Sequence, residues 1–570
     1  MQVAFRSKLS AETWLIFAVA LFAILISVVF GIRITSLLRH GDLFLTSGGE
    51  AASIYGIWKI QKGYPVYEWP FTESFPLCPY NYCFYYSYAR ILAAFGVKGG
   101  SLPVGGSALT LLFAFFGAFA QWKVMRLVLR KTLSLQNDIL LAILALTAWL
   151  GTGMVSWFAL TVRPDMAGVA LATAALWAYL VCLRKDQRSW ILALTASVLF
   201  YLAWSFKQSM ICTLAGTCLF VLLYRKDLRQ AIRLIVPCGC LMALTLWIGG
   251  TNYRANVIVA PAINSLSVSR AAQTALLAFL PSIFFWAFWI YVYVATPSVF
   301  NRGTRGHDNE GEPGLVVLCF AACVSLGIGL IYAMRAGCGR NQLLEPFIAS
   351  ATLSSCMLAK SIKPLTDPSA RRTVAVSAMM ILSMAAFPAA QLLFFNRIGV
   401  LTLASHNEYV QKKSFAQCLQ SAPKPLLTKE ETFSLPWLST GDTYPAYVVV
   451  WDIYDTARSE GRVKGGIDGL IMRQHFGSLL LDEQDSLFKE ALQGGYRYSS
   501  IPSCSGWQSL KLLSRAGREK GDSISSMNRA STVSGGPVSA PFSLVPGYLL
   551  KNPFEAICMD YMACISSRKR

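Results

Sequence analysis

The stretch TWLIFAVALFAILISVVFGI, residues 13–32, has twenty consecutive residues without a charged side chain. The hydrocarbon core of a bilayer is about 30 Å thick, and a helix of about 20 apolar residues crosses it. The stretch is too long for the core of a signal peptide, and no small-residue cleavage site follows it. We therefore expect a retained membrane anchor, which makes this stretch decisive for the fold.

Similar apolar runs recur along the chain and explain its composition. Of the 570 residues, 54% are hydrophobic and only 14% are charged. This balance favours an α-helical polytopic membrane protein over a soluble globular one. The pattern predicts about eleven transmembrane helices, at about 13–32, 104–125, 136–152, 166–183, 189–205, 209–224, 234–250, 275–296, 314–333, 346–360 and 373–395.

The basic residues predict the orientation of these spans. The formal net charge is +21, but Lys and Arg cluster in short loops between apolar runs, where they set topology rather than bind nucleic acid. With a cytoplasmic N-terminus, the inside segments hold 19 basic residues and the short outside loops hold 6. We therefore expect a multi-pass protein of a bacterial inner or plasma membrane, with its N-terminus in the cytoplasm and its C-terminus outside.

The first long outer segment, residues 33–103, has two predicted helices that lie at the membrane surface. In EAASIYGIWKIQKG (50–63), the apolar side chains fall mostly on one helical face, and Gly63 is a plausible end. The second stretch, YCFYYSYARILAAFG (82–96), is rich in Tyr, as helices at the headgroup level are. The segment is therefore predicted to be a structured interfacial layer.

The periodicity changes after about residue 396. Short strand-like and helix-like pieces predict a small extracytoplasmic α/β domain at 396–515, and the Ser-, Gly- and Arg-rich remainder, 516–570, is predicted to be disordered. The transmembrane catalytic domain is accordingly placed at 1–395.

Ionisable residues collect at the predicted outer ends of the spans. Charges near membrane depth are costly, so each is a candidate functional residue. The alternative is that each is an interfacial anchor whose charged end reaches water. The group comprises Glu50, Arg163, Asp165, Lys207, Arg335, Arg340 and Glu345.

Carboxylates beside cations at an interface suit the transfer of a sugar from a lipid phosphate. Arg and Lys stabilise the phosphate charge that develops as the bond to the sugar carbon breaks. A carboxylate accepts the proton of the attacking hydroxyl. Apolar walls between the spans would hold the lipid chain.

Four stretches resemble the GT-C class of integral-membrane glycosyltransferases, which includes protein mannosyltransferases and aminoarabinose transferases. The resemblance covers roughly residues 10–500, and its order and spacing are more specific than any one motif. The stretches are GGEAASIYGIWKIQKGYPVY (48–67), PYNYCFYYSYARILAAFG (79–96), VRPDMAGVALATAALW (162–177) and FKQSMICTLAGTCLFVLLYRKDLRQAI (206–232).

This resemblance implies a polyprenyl-phosphate sugar donor, an extracytoplasmic site that acts on a glycan, lipid or protein acceptor, and usually inversion at the anomeric carbon. It assigns the acidic residue of the first loop, Glu50 by position, to the role of base or acceptor-orienting group, with Asp42 as a second candidate. Many members have Asp-Glu where this chain has Gly49-Glu50. A relative that has lost its catalytic activity is therefore a further interpretation.

The remaining site residues are expected to bind the donor. Lys207 is the first candidate for the lipid phosphate, followed by Arg163 and Arg340, while Asp165 is expected to pair with Arg163 or to cap the following span. The other predicted binding residues are Arg335, Tyr55 and Tyr67.

Three further expectations concern cofactors, thiols and the competing class of protein. No Asp-x-Asp or paired His is present, so we predict an enzyme without a metal cofactor. Cys78 and Cys83 form a disulfide or remain as two thiols, and the same alternatives hold for Cys558 and Cys564. A lipid or saccharide transporter is the alternative function, but the sequence shows no internal symmetry of the kind that the repeated halves of transporters produce. Its polar residues also cluster at the outer face rather than at the midplane.

Overall fold

Apolar helices make up most of the chain before residue 361 in the computed structural model. The structure describes residues 11–41, 49–72, 77–129, 135–151, 155–184, 190–279, 312–335, 338–361, 406–428, 446–448, 465–484, 486–499, 506–507 and 510–515. Asp42, the second candidate acid, lies outside these residues, as does the predicted tail 516–570.

Fifteen α-helices are described before residue 362. They are α1 (Ala11–His40), α2 (Glu50–Gln61), α3 (Tyr82–Ala94), α4 (Leu102–Leu129), α5 (Leu135–Leu146), α6 (Val155–Phe158), α7 (Asp165–Arg184), α8 (Trp190–Phe206), α9 (Cys212–Leu219), α10 (Leu228–Ile248), α11 (Gly250–Arg254), α12 (Ala260–Ile263), α13 (Val268–Phe279), α14 (Glu312–Ala333) and α15 (Leu344–Ser361).

Among the described residues, five helices are long and apolar enough to cross a membrane, namely α1, α4, α7, α10 and α14. Shorter apolar helices coincide with other predicted spans, and π-helical turns extend α5 through Thr147–Gly151 and α9 through Phe220–Arg225. The predicted span at 373–395 and most of the one at 275–296 lie outside the described residues. The helical membrane fold is confirmed, and the count of eleven spans stays a prediction.

Helix α7 is the centre of the helical bundle. In the most apolar stretch of α7, 72% of the residues are buried inside the protein. The corresponding share for α10 is 17%, so α10 lies at the outside of the bundle. Helices in lipid gain little from apolar burial against each other, so close packing of small residues matters more. At Gly216 of α9, a Cβ atom would lie only 2.6 Å from Ala321 Cα of α14, so the two backbones meet at this glycine.

The first outer segment is more deeply packed than its sequence pattern predicts. Helix α2 ends at Gln61, as expected from Gly63, but most of its residues are buried, including Ile54, Ile57 and Trp58. The Lys59 ammonium is fully buried, and it donates to Glu68 Oε1 at 2.7 Å and to the Val66 carbonyl at 3.1 Å. The prediction of a one-sided surface helix is wrong for α2, because α3 and the chain before α7 cover its outer sides.

The described residues after 405 contain both helices and a six-stranded mixed sheet. The elements are α16 (His406–Gln420), β1 (Leu426–Thr428), β2 (Ala446–Val448), α17 (Gly466–Met472), β3 (Ser478–Asp482), α18 (Ser486–Gln493), β4 (Tyr496–Tyr498), β5 (Gly506–Trp507) and β6 (Leu510–Arg515). Strand β1 pairs in parallel with β2 and β3, while β6 runs antiparallel to β3, β4 and β5.

Described residues of this C-terminal part contact the membrane part. The ring of His40, at the end of α1, lies 4.5 Å from the ring of Tyr409 in α16. Phe71 of the first outer segment packs against the apolar core of the sheet. The sheet therefore lies on the same side of the bundle as the first outer segment.

Candidate active site

Glu50 begins α2 and lies inside the protein. The preceding residue, Gly49, has a φ of +77°, a left-handed conformation that glycine adopts without a steric penalty. The Glu50 side chain is buried, and its Oε1 accepts a hydrogen bond from the Val162 backbone N–H at 2.6 Å. A carboxylate in the first turn also interacts favourably with the helix dipole. The backbone thus directs this acid toward the segment that precedes α7.

Asp165 joins polar side chains of three segments of the chain, and two of these side chains are cations. Its Oδ1 accepts from Lys207 Nζ at 2.5 Å and from Asn341 Nδ2 at 3.0 Å, while its Oδ2 lies 3.2 Å from Arg163 Nε. The carboxylate is fully buried, and the Lys207 side chain is 5% exposed. We call Asp165, Arg163, Lys207 and Asn341 the Asp165 cluster.

Arg163 links Glu50 to the Asp165 cluster. Burial acts to lower its pKa, but Tyr80, Asp165 and Glu50 together raise the pKa above its ordinary value, so the guanidinium stays charged. Tyr80 also makes a side-chain hydrogen bond with Arg163, and the Phe158 ring lies 5.7 Å from the guanidinium carbon. Glu50 and Asp165 therefore act on the same partly buried cation.

Side chains of three helices hold α6 and the segment between α6 and α7. Ser107 Oγ of α4 donates to the Leu160 carbonyl at 2.9 Å, and Glu50 accepts from Val162. Arg33 of α1 donates to the Ser156 carbonyl at 2.6 Å and to the Trp157 carbonyl at 3.3 Å. These bonds fix the backbone that carries Arg163 and Asp165.

Glu345 has a structural contact rather than a place in the Asp165 cluster. Its carboxylate oxygens accept from the backbone N–H groups of Cys212 at 3.3 Å and Thr213 at 3.1 Å, at the start of α9. The first N–H groups of a helix have no intrahelical partner, and a carboxylate satisfies them well. Glu345 thereby fixes the turn between α8 and α9, which carries Lys207.

The other predicted binding residues lie around the cluster at varying depth. Arg335 follows α14, half-buried, with its guanidinium carbon 6.0 Å from the Tyr332 ring centre, and half-buried Arg340 begins a short 3₁₀ turn. Tyr67 is buried and donates to the Tyr80 carbonyl at 2.7 Å, whereas half-buried Tyr55 stacks on a neighbouring Trp ring. None of these contacts joins the four residues directly to Asp165.

Two functional contacts were missed by sequence reasoning. Asn341 is a neutral residue beside Arg340, and only its proximity to predicted cations in GRNQ could have drawn attention to it. Arg33 lies within α1, directly after the predicted span 13–32, and a charge at the end of an apolar run is itself a signal. Cys78 and Cys83 are separate thiols in the structure, which decides between the two alternatives for this pair in favour of no disulfide.

Comparison with solved structures identifies the fold. The structure of ArnT from Cupriavidus metallidurans bound to undecaprenyl phosphate aligns with a TM-score of 0.52 and 14% identity, over 87% of this chain and 98% of that one. The structure of ArnT from the same organism in the apo state aligns with a TM-score of 0.53 and 14% identity, over 86% of this chain and 97% of that one. A third similar structure is the archaeal oligosaccharyltransferase AglB from Archaeoglobus fulgidus in complex with an inhibitory peptide and a dolichol-phosphate. It aligns with a TM-score of 0.48 and 11% identity, over 86% of this chain and 73% of that one.

No protein-family model and no curated protein sequence matches the chain. The similarity to ArnT therefore shows the fold, and it confirms the predicted resemblance to the GT-C class as a resemblance of fold. The chain has the helical fold of an integral-membrane protein of the ArnT type.

Proposed function

We propose that this protein is an integral-membrane glycosyltransferase that moves a sugar from a polyprenyl-phosphate donor to an extracytoplasmic acceptor. The observation that carries the proposal is the Asp165 cluster, in which a buried carboxylate holds two cations and one of them, Arg163, also interacts with a second buried carboxylate, Glu50. The ArnT fold supports it, because one of the similar ArnT structures is bound to undecaprenyl phosphate.

Arg163 and Lys207 bind the donor phosphate in this proposal. An ammonium has three N–H donors and a guanidinium five, which is more than the single Asp165 carboxylate can accept. Asp165 and Asn341 hold the cations in place before the donor arrives, so little reorganisation is needed as the phosphate leaves. Asp165 is then a positioning residue and has no direct contact with the sugar.

Glu50 accepts the proton of the acceptor hydroxyl or orients that hydroxyl. The oxygen of the acceptor attacks the anomeric carbon, the bond from that carbon to the phosphate oxygen breaks, and the phosphate keeps the electron pair. Attack from the face opposite the phosphate inverts the configuration. Glu50 is the stronger candidate among the two acids proposed from the sequence, because its burial and its bond to Val162 fix its position beside Arg163.

The site is proposed to face the extracytoplasmic side. Cys418 of α16 is disulfide-bonded, which is typical of oxidising compartments outside the cytoplasm. The C-terminal part that contains Cys418 contacts the first outer segment, so both lie on one side of the bundle. The Lys and Arg distribution assigns the same side to the outside.

A donor assay tests the proposal. Purified protein is incubated with radiolabelled polyprenyl-phosphate sugars and an envelope extract, and transfer of label is measured. Glu50→Gln keeps an oxygen that can accept from Val162 N–H but removes the base, so the rate should fall by about 10²–10⁴-fold. The exposed Lys98→Ala serves as a control and should keep the wild-type rate. Full activity of Glu50→Gln, or no transfer by the wild type from any donor, would contradict the proposal.

A further inference from the structure

An open pocket of about 440 Å³ lies beside the first outer segment, separate from the Asp165 cluster. Its size falls within the range of about 300–1,000 Å³ that small-molecule sites occupy. The chain after α2, the start of α3, and Gly249 with the beginning of α11 contribute to it. The residues used below are Tyr67, Tyr82, Tyr86, Gly250, Thr251 and Asn252.

Tyrosine rings form one wall of the pocket. Tyr82 stacks on Tyr253 with ring centres 4.5 Å apart, and the edge of Tyr67 meets Tyr82 at 4.7 Å. Tyr86 lies 5.6 Å from Tyr82 and is 40% exposed, so part of its ring faces solvent. These rings support one another, and a ligand would meet a surface that is already in place.

The opposite wall is backbone and small polar groups. Gly250 has a φ of +72°, and a Cβ atom built there meets no heavy atom within 4 Å, so open space begins at this backbone. Thr251 and Asn252 are exposed, and the Asn252 carbonyl accepts from Asn256 Nδ2 at 2.9 Å, which fixes this turn. Hydroxyl and amide groups of this kind both donate and accept hydrogen bonds.

The lining distinguishes between classes of ligand. None of its described residues is Asp, Glu, Lys, Arg or His, so a phosphate would find no charged partner of the kind it requires. The mixture of aromatic faces with neutral hydroxyl and amide groups instead matches a sugar ring, which presents C–H groups on its faces and hydroxyls at its edge.

The pocket and the Asp165 cluster lie on two sides of one layer of tyrosines. Tyr67, which lines the pocket, donates to the Tyr80 carbonyl, and the Tyr80 side chain bonds to Arg163. We propose that the pocket binds a neutral sugar ring of the acceptor, one layer away from the reacting atoms. This inference rests on the proposed function and specifies its acceptor as a neutral glycan or glycolipid.

Binding measured without turnover tests the pocket. The full chain in lipid nanodiscs is titrated with a neutral oligosaccharide, maltotriose, and with monoglucosyl diacylglycerol added to the nanodisc lipid. Tyr86→Ala should weaken binding by about five- to tenfold, while Tyr86→Phe keeps the ring and should stay close to wild type. Phe95→Ala is the control, since Phe95 follows the same helix, is 80% exposed and does not line the pocket.

The two probes distinguish a free glycan from a lipid-linked one, and binding of either that is lost in Tyr86→Ala supports the pocket. Absence of binding by both, equal binding by Tyr86→Ala, or tighter binding of glucose 6-phosphate than of maltotriose would overturn the inference. Binding without sugar transfer would therefore refute the proposed function alone, and transfer without binding would refute the pocket alone.

Discussion

Asp165 determines the electrostatics of the site at the scale of single residues. It is fully buried and contacts two cations that come from different segments, Lys207 at 2.5 Å and Arg163 at 3.2 Å. A buried pair of this kind costs desolvation energy, but removal of one partner costs more, because an uncompensated charge stays inside the protein. The cluster is therefore a unit in which each charge depends on the others.

A double-mutant cycle measures this dependence. Asp165→Asn and Lys207→Met should each lower the free energy of unfolding by about 3–5 kcal/mol, since each leaves a buried charge with fewer partners. The double variant should lose less than the sum of the two. Thermal unfolding in detergent provides the measurement, and additive losses would show that the two residues do not interact.

A second prediction concerns Gly49, which stands where many members of the GT-C class have Asp. Open space surrounds its Cβ position, so Gly49→Asp should fold with a loss of about 1 kcal/mol, because the left-handed conformation is mildly unfavourable for Asp. The variant Gly49→Asp/Glu50→Gln should stay as inactive as Glu50→Gln, since only Glu50 is bonded to Val162. Recovery of sugar transfer in the double variant would show that a carboxylate at position 49 can act as the base.

The residues of the site were only partly predictable. Glu50, Arg163, Asp165 and Lys207 carry charges at the ends of apolar runs, and this pattern alone brings them to one face. The bond from Asn341 to Asp165 joins positions 176 residues apart and involves a neutral amide, so no local pattern indicates it. Glu345 looked like a site charge, but its long-range contact with the start of α9 makes it a helix cap.

Helix packing at the scale of elements depends on small residues. Gly216→Val should destabilise the contact between α9 and α14, because the new side chain would meet the Ala321 backbone; overpacking of this kind costs about 1–3 kcal/mol. Gly327→Val on α14 is the matched control, since a Cβ there meets nothing within 4 Å. A melting temperature equal for the two variants would contradict this close approach.

The ends of the helices were predicted better than the burial of their side chains. The end of α2 follows from Gly63, and α7 begins directly after Pro164, as helices often do after proline. The burial of α2 was not predictable, because its covering residues come from α3 and the segment before α7. A helical pattern indicates which side is apolar, but it does not show how many sides are covered.

The topology of the whole molecule yields a further prediction. Alkaline phosphatase folds only outside the cytoplasm, whereas green fluorescent protein fused at an inside position fluoresces. A phosphatase fusion after Lys98 or at the C-terminus should be active, and a fluorescent fusion after Lys226 should be bright. The reverse pattern would place the Asp165 cluster on the cytoplasmic side and exclude an extracytoplasmic reaction.

The net positive charge of the Asp165 cluster has a consequence for the cycle of the proposed enzyme. The donor is a phosphodiester with one negative charge, and the lipid that remains after transfer is a phosphomonoester, which carries about −1.5 to −2 at neutral pH if it titrates as other phosphate monoesters do. Arg163 and Lys207 attract the second species more strongly than the first. Departure of the spent lipid is therefore expected to be slower than departure of an unreacted donor.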